Sequence, residues 1–492
     1  MKQLKNSEIW FITGSQHLYG EKTLLQVKNN SENIVRHLNN SSKFPMILKF
    51  KSVVTTSDMI YKVLLSANNS EKCIGIIAWM HTFSPGKMWI SGLRILNKPL
   101  LHLHTQFNRD IPWNDIDMDF MNLNQSAHGG REFGFICTRL KIKRKIVVGY
   151  WKDNSVLKKI TVWMRAALAF NKSQALKIFR FGDNMRNVAV TEGDKVEAQI
   201  KFGWEINYYG IGDLVESMKT IAEKDIDRLY KEYKSKYIIA SDDTESIRYQ
   251  ARIELGLKKF LDKNNSKAFT TNFEDLHGLK QLPGLAVQRL MEQGYGFGAE
   301  GDWKQSALVY LMKVMGEGLN GGCSFMEDYT YHFDPAQPAV LSAHMLEICP
   351  TISENKPQIE VHPLGIGGKD DPARMIFNVP EGKGLNATLV DMGGRMRMIV
   401  NTVKVIKSKA LPKLPVARAL MVPEPDLKTS ATAWILAGGA HHTSFSMALN
   451  IEYMEDFAEM VGIEFLVIDD KTNIQEFKKE LRYNDVYFQM NK

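Results

Sequence analysis

The sequence predicts an α/β protein with two Rossmann-like, doubly wound α/β domains followed by a β-rich, barrel-like C-terminal domain. Short apolar runs alternate with helical patterns over the first 110 residues, and the same alternation restarts near residue 175. From about residue 325, short alternating runs with Pro and Gly turns replace the helical patterns, as in small sandwiches and barrels. The expected domain boundaries are 1–172, 173–322 and 323–492.

The first domain is expected to hold a parallel sheet with helices on both faces, because single strands alternate with single helices. Ser57 is the expected N-cap of the second helix. Ligands of such sheets gather at the carboxyl ends of the strands, where polar loops rich in Gln, His and Thr occur here. Strands are predicted at 8–12, 46–53, 73–79 and 99–104, and helices at 24–38, 57–66 and 87–96.

The composition is that of a globular protein in a reducing compartment. Hydrophobic residues make up 44% and charged residues 24%, and the four cysteines form no CxxC pair. No apolar run approaches the roughly 18 residues of a membrane span, and the N-terminus lacks the apolar core of a signal peptide. We therefore expect a cytoplasmic protein with no membrane partner.

The net charge of +8 makes nucleic acid a candidate partner, which a basic surface or a nucleic-acid-binding signature in the sequence would have to support. The two most basic stretches, 139–148 and 231–237, are typical of an edge strand protected by Lys and of an amphipathic helix surface. The sequence contains no zinc-finger, RNA-recognition or homeodomain signature. We therefore expect no nucleic-acid partner.

The segment 294–303 contains a GxGxxG pattern that resembles a dinucleotide fingerprint. The preceding residues, 285–293, have a helical pattern rather than that of a strand, and Glu300 within the pattern would repel a pyrophosphate. We interpret the segment as a flexible loop that presents Glu300, which argues against a nicotinamide oxidoreductase.

Aromatic residues surround Glu327 and Asp328 in the segment 325–333. Such surroundings can remove water from a carboxylate and raise its pKa. Acidic pairs beside aromatic residues are also common at strand ends, so this pattern alone does not define a site.

Two Glu and two His stand in the most aromatic and glycine-rich segments of the second half. His344 is predicted to lie in an apolar strand, and His441 and His442 follow a Gly-Gly turn. Adjacent side chains of an extended segment point in opposite directions, so only one of the latter pair is expected to bind a given metal. Together with Glu300 and Glu327 they form a mixed O/N set that suits Mn²⁺ better than structural Zn²⁺ or Ca²⁺.

The sequence resembles the L-arabinose isomerase family over nearly the whole chain. The matching segments follow one another in the order of that family, which excludes a chance match. They are FITGSQHLYG (11–20), WMHTFSPGKMWI (79–90), WNDIDMDFMNLNQSAHGGREFGFI (113–136), FRFGDNMRNVAVTEGDKVEAQIKFG (179–203), AFTTNFEDLHGLKQLPGLAVQRLM (268–291), EGDW (300–303), FMEDYTYHF (325–333), HPLGIGGKDDPAR (362–374) and WILAGGAHHT (434–443).

The resemblance implies a site as well as a fold. It implies one Mn²⁺ per subunit, bound by Glu300, Glu327, His344 and His442, with His441 the less favoured imidazole. It also implies a homohexamer, a dimer of trimers, in which subunits share the site. The implied sugar-binding residues are Gln16, Leu18, Tyr19, Phe83, Gln125, His128, Met185 and Phe273.

The resemblance further implies conversion of L-arabinose to L-ribulose, with weak conversion of D-galactose to D-tagatose, as the first step of L-arabinose catabolism. Such an aldose–ketose isomerisation moves a proton from C2 to C1 through a cis-enediol that a metal stabilises. Glu300 and Glu327 are the expected catalytic pair, but the sequence leaves open which is base and which is acid. L-Fucose isomerase is the nearest alternative among sugar isomerases.

Overall fold

The computed structural model describes residue 4 and residues 6–41 and 44–490. The chain divides into two compact units. Unit 1 comprises Met1–Asn171 with Glu455–Val461, and unit 2 comprises Lys172–Met454 with Gly462–Lys492.

Unit 1 contains the predicted parallel sheet, in the strand order β2-β1-β3-β4-β5. All eight residues of β3 are buried, as expected of a strand with helices on both faces. The strands are β1 (Glu8–Gly14), β2 (Ile47–Val54), β3 (Cys73–Met80), β4 (Leu100–His104) and β5 (Lys145–Val148). The helices are α1 (Gly20–Asn39), α2 (Ser57–Asn68), α3 (Ile90–Ile95), α4 (Met118–Leu123), α5 (Ser126–Arg139) and α6 (Asn154–Ser173).

Two local predictions in this unit need correction. The N-cap of α2 is Thr56 rather than Ser57, because the Thr56 hydroxyl accepts a hydrogen bond from the backbone N–H of Met59. Only the second part of the basic stretch 139–148 is an edge strand, since β5 begins at Lys145 and the residues before it end α5 and form a turn.

The central part of unit 2 holds a second parallel sheet, in the order β10-β9-β6-β7. The alternation that was predicted to restart near residue 175 begins with a strand at Lys177. The strands are β6 (Lys177–Phe181), β7 (Glu205–Tyr209), β8 (Ile238–Ile239), β9 (Ala268–Thr271) and β10 (Gly296–Ala299). The helices are α7 (Lys195–Phe202), α8 (Ile211–Lys219), α9 (Glu223–Lys236), α10 (Thr244–Lys263), α11 (Gly284–Glu292) and α12 (Trp303–Met315).

The glycine-rich segment before Glu300 is not the flexible loop that we expected. Residues 296–299 form the fully buried strand β10, which lies against α12. A Cβ atom on Gly296 would lie 2.1 Å from the backbone oxygen of Ser306, and one on Gly298 would lie 2.3 Å from that of Asp302. These glycines therefore serve the close approach of strand and helix.

The last part of unit 2 is a closed antiparallel barrel, which confirms the predicted barrel-like domain. Six strands follow the order β15-β18-β11-β12-β17-β16, and pairing of β15 with β16 closes the barrel. Strand β19 extends the barrel sheet in parallel with β16, whereas β13 and β14 form a small sheet with β8. The strands are β11 (Cys323–His332), β12 (Ala339–Ala343), β13 (Gln358–Val361), β14 (Ala373–Ile376), β15 (Gly382–Asp391), β16 (Met396–Ile406), β17 (Arg418–Pro423), β18 (His442–Ser446) and β19 (Glu464–Ile468).

Three helices follow or interrupt the barrel strands, so this part is less purely β than the sequence indicates. They are α13 (Leu427–Leu436), α14 (Ile451–Val461) and α15 (Ile474–Met490). Among the described residues, no helix has both the length and the apolar character needed to cross a membrane.

Candidate metal centre

Glu300 stands at the carboxyl end of β10, in the turn that leads into α12. Its backbone adopts a left-handed conformation, with φ of 60°, which is uncommon for a residue with a side chain. The Glu300 carbonyl accepts a hydrogen bond of 3.0 Å from the backbone N–H of Met185. The turn therefore places the Glu300 side chain at the edge of the parallel sheet, where it is 14% exposed.

Three adjacent strands of the barrel position the other candidate ligands. Glu327 of β11 pairs with His442 of β18 on one side and with Ala343 of β12 on the other. His344 directly follows β12, outside the apolar strand in which we predicted it. The antiparallel register thus brings together residues that are far apart in the sequence.

The imidazoles and carboxylates face one another at distances suited to a shared ion. One ligand atom each of Glu300, His344 and His442 lies within 4.8 Å of the other two. Oε2 of Glu300 is 3.6 Å from Nε2 of His442, and Oε2 of Glu327 is 3.8 Å from Nε2 of His344. The structure therefore contains a possible metal-binding group of three residues with Glu327 beside it.

The Nε2 atoms of His344 and His442 are buried and have no hydrogen-bond partner. Burying a polar atom without a partner costs free energy, so such atoms call for an explanation. A divalent ion would accept both lone pairs, and the donor set of imidazole nitrogen and carboxylate oxygen suits such an ion. The residues present therefore fit a divalent metal ion.

A second carboxylate fixes each of these imidazoles through the other ring nitrogen. Nδ1 of His344 lies 2.5 Å from Oε2 of Glu347, and Nδ1 of His442 lies 3.1 Å from Oδ2 of Asp302. An ionised carboxylate only accepts, so these contacts place a proton on each Nδ1 and leave Nε2 free to bind a metal.

Asp302 and Glu347 are functional residues that the sequence patterns did not predict. The position of Glu347, three residues after His344, is the sequence feature that could have suggested it. Asp302 lies in the EGDW segment, one of those that carry the family resemblance. Both are buried, Asp302 fully.

The charges around Glu300 favour its ionised form. Burial raises the pKa of Glu300, but the nearby imidazoles of His441, His442 and His344 outweigh this effect, so its pKa lies below the usual value. Burial lowers the pKa of His344, but Glu347, together with Glu327 and Glu300, outweighs this effect and the net pKa is raised.

His441 also faces Glu300, contrary to the expectation that the adjacent histidines point in opposite directions. Nε2 of His441 is 3.8 Å from Oε2 of Glu300, and the rings of His441 and His442 are 4.3 Å apart. The reason is that β18 begins only at His442, so His441 does not follow the alternation of a strand. The His441 side chain is 38% exposed, whereas that of His442 is fully buried.

Asp328 lies outside the metal-binding group. It lines a cavity of about 30 Å³ with Val340, Asn401 and other barrel residues, and accepts a hydrogen bond from the Ser342 hydroxyl. Burial raises the pKa of Asp328 to about 6. Alternation along β11 therefore separates Asp328 from Glu327, its neighbour in the sequence.

Two of the predicted sugar-binding residues lie beside the metal-binding group in unit 2. Met185 contacts the turn of Glu300 through its backbone. Phe273 lines a cavity of about 20 Å³ together with Glu300, His344 and Glu347. Residues near the central parallel sheet and residues that follow β12 thus line one small cavity.

The other six predicted sugar-binding residues lie in unit 1, where four of them form two pairs. The Tyr19 hydroxyl donates to Oε1 of Gln125 over 3.2 Å, and the rings of Phe83 and His128 stack at 4.4 Å. The remaining two are Gln16, which precedes a short 3-10 helix, and Leu18, which is 83% exposed.

Fold and site together define an α/β protein with a candidate metal-binding group between a parallel sheet and a barrel. Sequence profiles of the L-arabinose isomerase N-terminal, central and C-terminal domains match residues 3–175, 177–318 and 322–464. The chain belongs to the L-arabinose isomerase family, a family of aldose–ketose isomerases, and is an enzyme of that kind.

Curated relatives agree with the domain profiles over nearly the whole chain. An L-arabinose isomerase of Anoxybacillus flavithermus is 60% identical, and the match covers 99% of each chain. Relatives of the same name from Herpetosiphon aurantiacus and Thermotoga neapolitana are each 57% identical, covering 100% and 99% of each chain, respectively.

Proposed function

We propose that this enzyme converts L-arabinose to L-ribulose with one Mn²⁺ per subunit, bound by Glu300, Glu327, His344 and His442. The observation that carries the metal part of this proposal is the pair of buried, unpartnered Nε2 atoms of His344 and His442. Both face carboxylates, and both rings are fixed by a second carboxylate at Nδ1. When bound, the ion would supply Lewis-acid polarisation of neighbouring sugar oxygens and so favour loss of the C2 proton.

The carboxylates are the groups that move protons. Glu300 takes the proton from C2 to give a cis-enediol and returns it to C1, while Glu327 moves the hydroxyl proton between O1 and O2. The lowered pKa of Glu300 means that its carboxylate is ionised at neutral pH, the form in which it can accept a proton.

The proposed sugar-binding residues complete the site: Gln16, Leu18, Tyr19, Phe83, Gln125, His128, Met185 and Phe273. We also propose a hexamer whose subunits share the site, three domains at 1–172, 173–322 and 323–492, weak conversion of D-galactose to D-tagatose, and a cytoplasmic role at the start of L-arabinose catabolism. Mixing Gln16→Ala and Glu300→Ala subunits, each inactive alone, should restore part of the activity if subunits share the site.

The test of the catalytic pair is substitution by the isosteric amide. Glu300→Gln and Glu327→Gln should each lower the rate of ketose formation from L-arabinose by roughly 10²–10⁴-fold, the usual contribution of a general acid or base. Asp328→Asn is the matched control, because this carboxylate is adjacent in sequence but lines the barrel cavity. Wild-type rates in either Glu variant would contradict the assigned role.

A further inference from the structure

The segment 183–192 is joined by hydrogen bonds to the turn that carries Glu300. The backbone N–H of Met185 donates to the Glu300 carbonyl over 3.0 Å. The side-chain amide of Asn184 donates to the backbone oxygens of Thr191, at 2.6 Å, and Gly301, at 3.3 Å. Asn184 is only 5% exposed, so these bonds are formed away from water.

The backbones of this segment and of the turn approach each other closely at Gly301. A Cβ atom there would lie 2.5 Å from Cα of Asn184 and 2.7 Å from the carbonyl oxygen of Asp183. Gly301 also has a φ of 82°, which favours glycine. The turn is therefore built to receive the segment against its backbone.

Lys304, in the first turn of α12, forms the second connection. It is fully buried, and its Nζ donates to the carbonyls of Thr191, at 2.8 Å, and Glu192, at 2.6 Å. The same Nζ lies 3.6 Å from Oδ1 of Asp302, whose other oxygen faces His442. Burying an ammonium group without such partners costs free energy, so the buried position of Lys304 depends on these two carbonyls and on Asp302.

We propose that Lys304 and Asn184 are positioning residues of the metal centre, an inference that rests on the proposed function. By holding segment 183–192 against residues 300–304, they keep Glu300 in its left-handed conformation and Asp302 directed at His442. They act through two groups at once. One is Glu300, a proposed metal ligand, and the other is Asp302, the carboxylate that orients the ligand His442. Outer residues of this kind typically change metal affinity by roughly 10–100-fold.

The experiment measures Mn²⁺ affinity by calorimetry on the full chain in the absence of sugar, together with thermal unfolding. Lys304→Met removes the ammonium but keeps most of the side-chain length. Lys313→Met is the matched control, because Lys313 also lies on α12 and donates to a backbone carbonyl, that of Cys323, away from residues 300–304. Both substitutions are expected to lower the melting temperature.

A second pair of variants covers the case in which Lys304→Met does not fold. Asn184→Ala removes the amide that bonds to Gly301 without leaving a buried charge. Its control is Asn401→Ala, because Asn401 is a buried asparagine that donates to carbonyls of the barrel, including those of Glu424 and Ile468.

The expected result is that Lys304→Met and Asn184→Ala weaken Mn²⁺ binding by roughly tenfold or more, while both control variants bind as the wild type does. Wild-type affinity in folded Lys304→Met or Asn184→Ala protein would overturn the positioning role and leave the proposed function intact. Failure of the wild type itself to bind Mn²⁺ would overturn the proposed metal centre and this inference together.

Discussion

Nδ1 of His344 lies 2.5 Å from Oε2 of Glu347, and the opposite nitrogen of the same ring is buried with no hydrogen-bond partner. The carboxylate thereby determines which ring nitrogen carries the proton and which one presents a lone pair. Asp302 has the same relationship to His442, at 3.1 Å. Two imidazoles, each with Nδ1 facing a carboxylate and Nε2 buried without a partner, are the strongest structural support for a metal centre.

The first prediction concerns Glu347. Glu347→Gln should weaken Mn²⁺ binding by roughly 10–100-fold, because an amide can donate to Nδ1 and shift the proton to the nitrogen that should bind the ion. Calorimetric titration of the folded variant measures the effect. Glu360→Gln is the control, since Glu360 also contacts a histidine, His362 at 2.6 Å, but outside the metal-binding group. Equal affinities of the two variants would refute the role of Glu347.

The second prediction separates the adjacent histidines. His442→Ala should raise the Mn²⁺ concentration needed for half-maximal activity far more than His441→Ala does. The reason is that His442 is buried with a free Nε2, whereas His441 is partly exposed and lies beside Glu300. A metal titration of activity for both variants provides the comparison. Equal shifts would show that both rings bind the ion or that neither does.

The third prediction concerns the pH dependence of stability. Burial lowers the pKa of His81 to about 4, and burial together with His104 and Arg144 lowers that of His102 to about 3. A free imidazole titrates near 6.5, so between pH 6.5 and 4 the unfolded chain binds protons that the folded chain does not. Stability should therefore fall as the pH falls through this window.

Each of these imidazoles should lower the free energy of unfolding by about 2 kcal/mol between pH 7 and pH 5. Denaturant unfolding at the two pH values measures this loss. His102→Leu should make the loss smaller, whereas His37→Leu, which changes an exposed histidine, should not. An unchanged pH dependence in His102→Leu would contradict the assignment.

Much of the fold follows from local sequence patterns. The alternation of strands and helices predicts the parallel sheet of unit 1, because each element is short and bounded by turn residues. The strand β10 was missed for a physical reason. Gly296 and Gly298 are poor strand formers, and only their close contact with α12 explains them. That contact joins residues whose proximity no local pattern reveals.

The candidate site also depends on contacts between residues that are far apart in the sequence. Glu327, His344 and His442 come together because three barrel strands pair in a particular register, which the sequence alone does not give. Their residue types and aromatic or glycine-rich surroundings mark them as candidates, and the resemblance to a known family selects His442 over His441. The orienting residues Asp302 and Glu347 were missed because their role depends on which nitrogen of each histidine they face.

The most direct test of the account is an assay for ketose formation from L-arabinose by the metal-stripped enzyme, with and without added Mn²⁺. We expect little activity without the ion, restoration when Mn²⁺ is added, and a failure of Mn²⁺ to restore activity in Glu300→Gln. Full activity of the stripped enzyme would contradict the metal centre, and no ketose under any condition would contradict the proposed function.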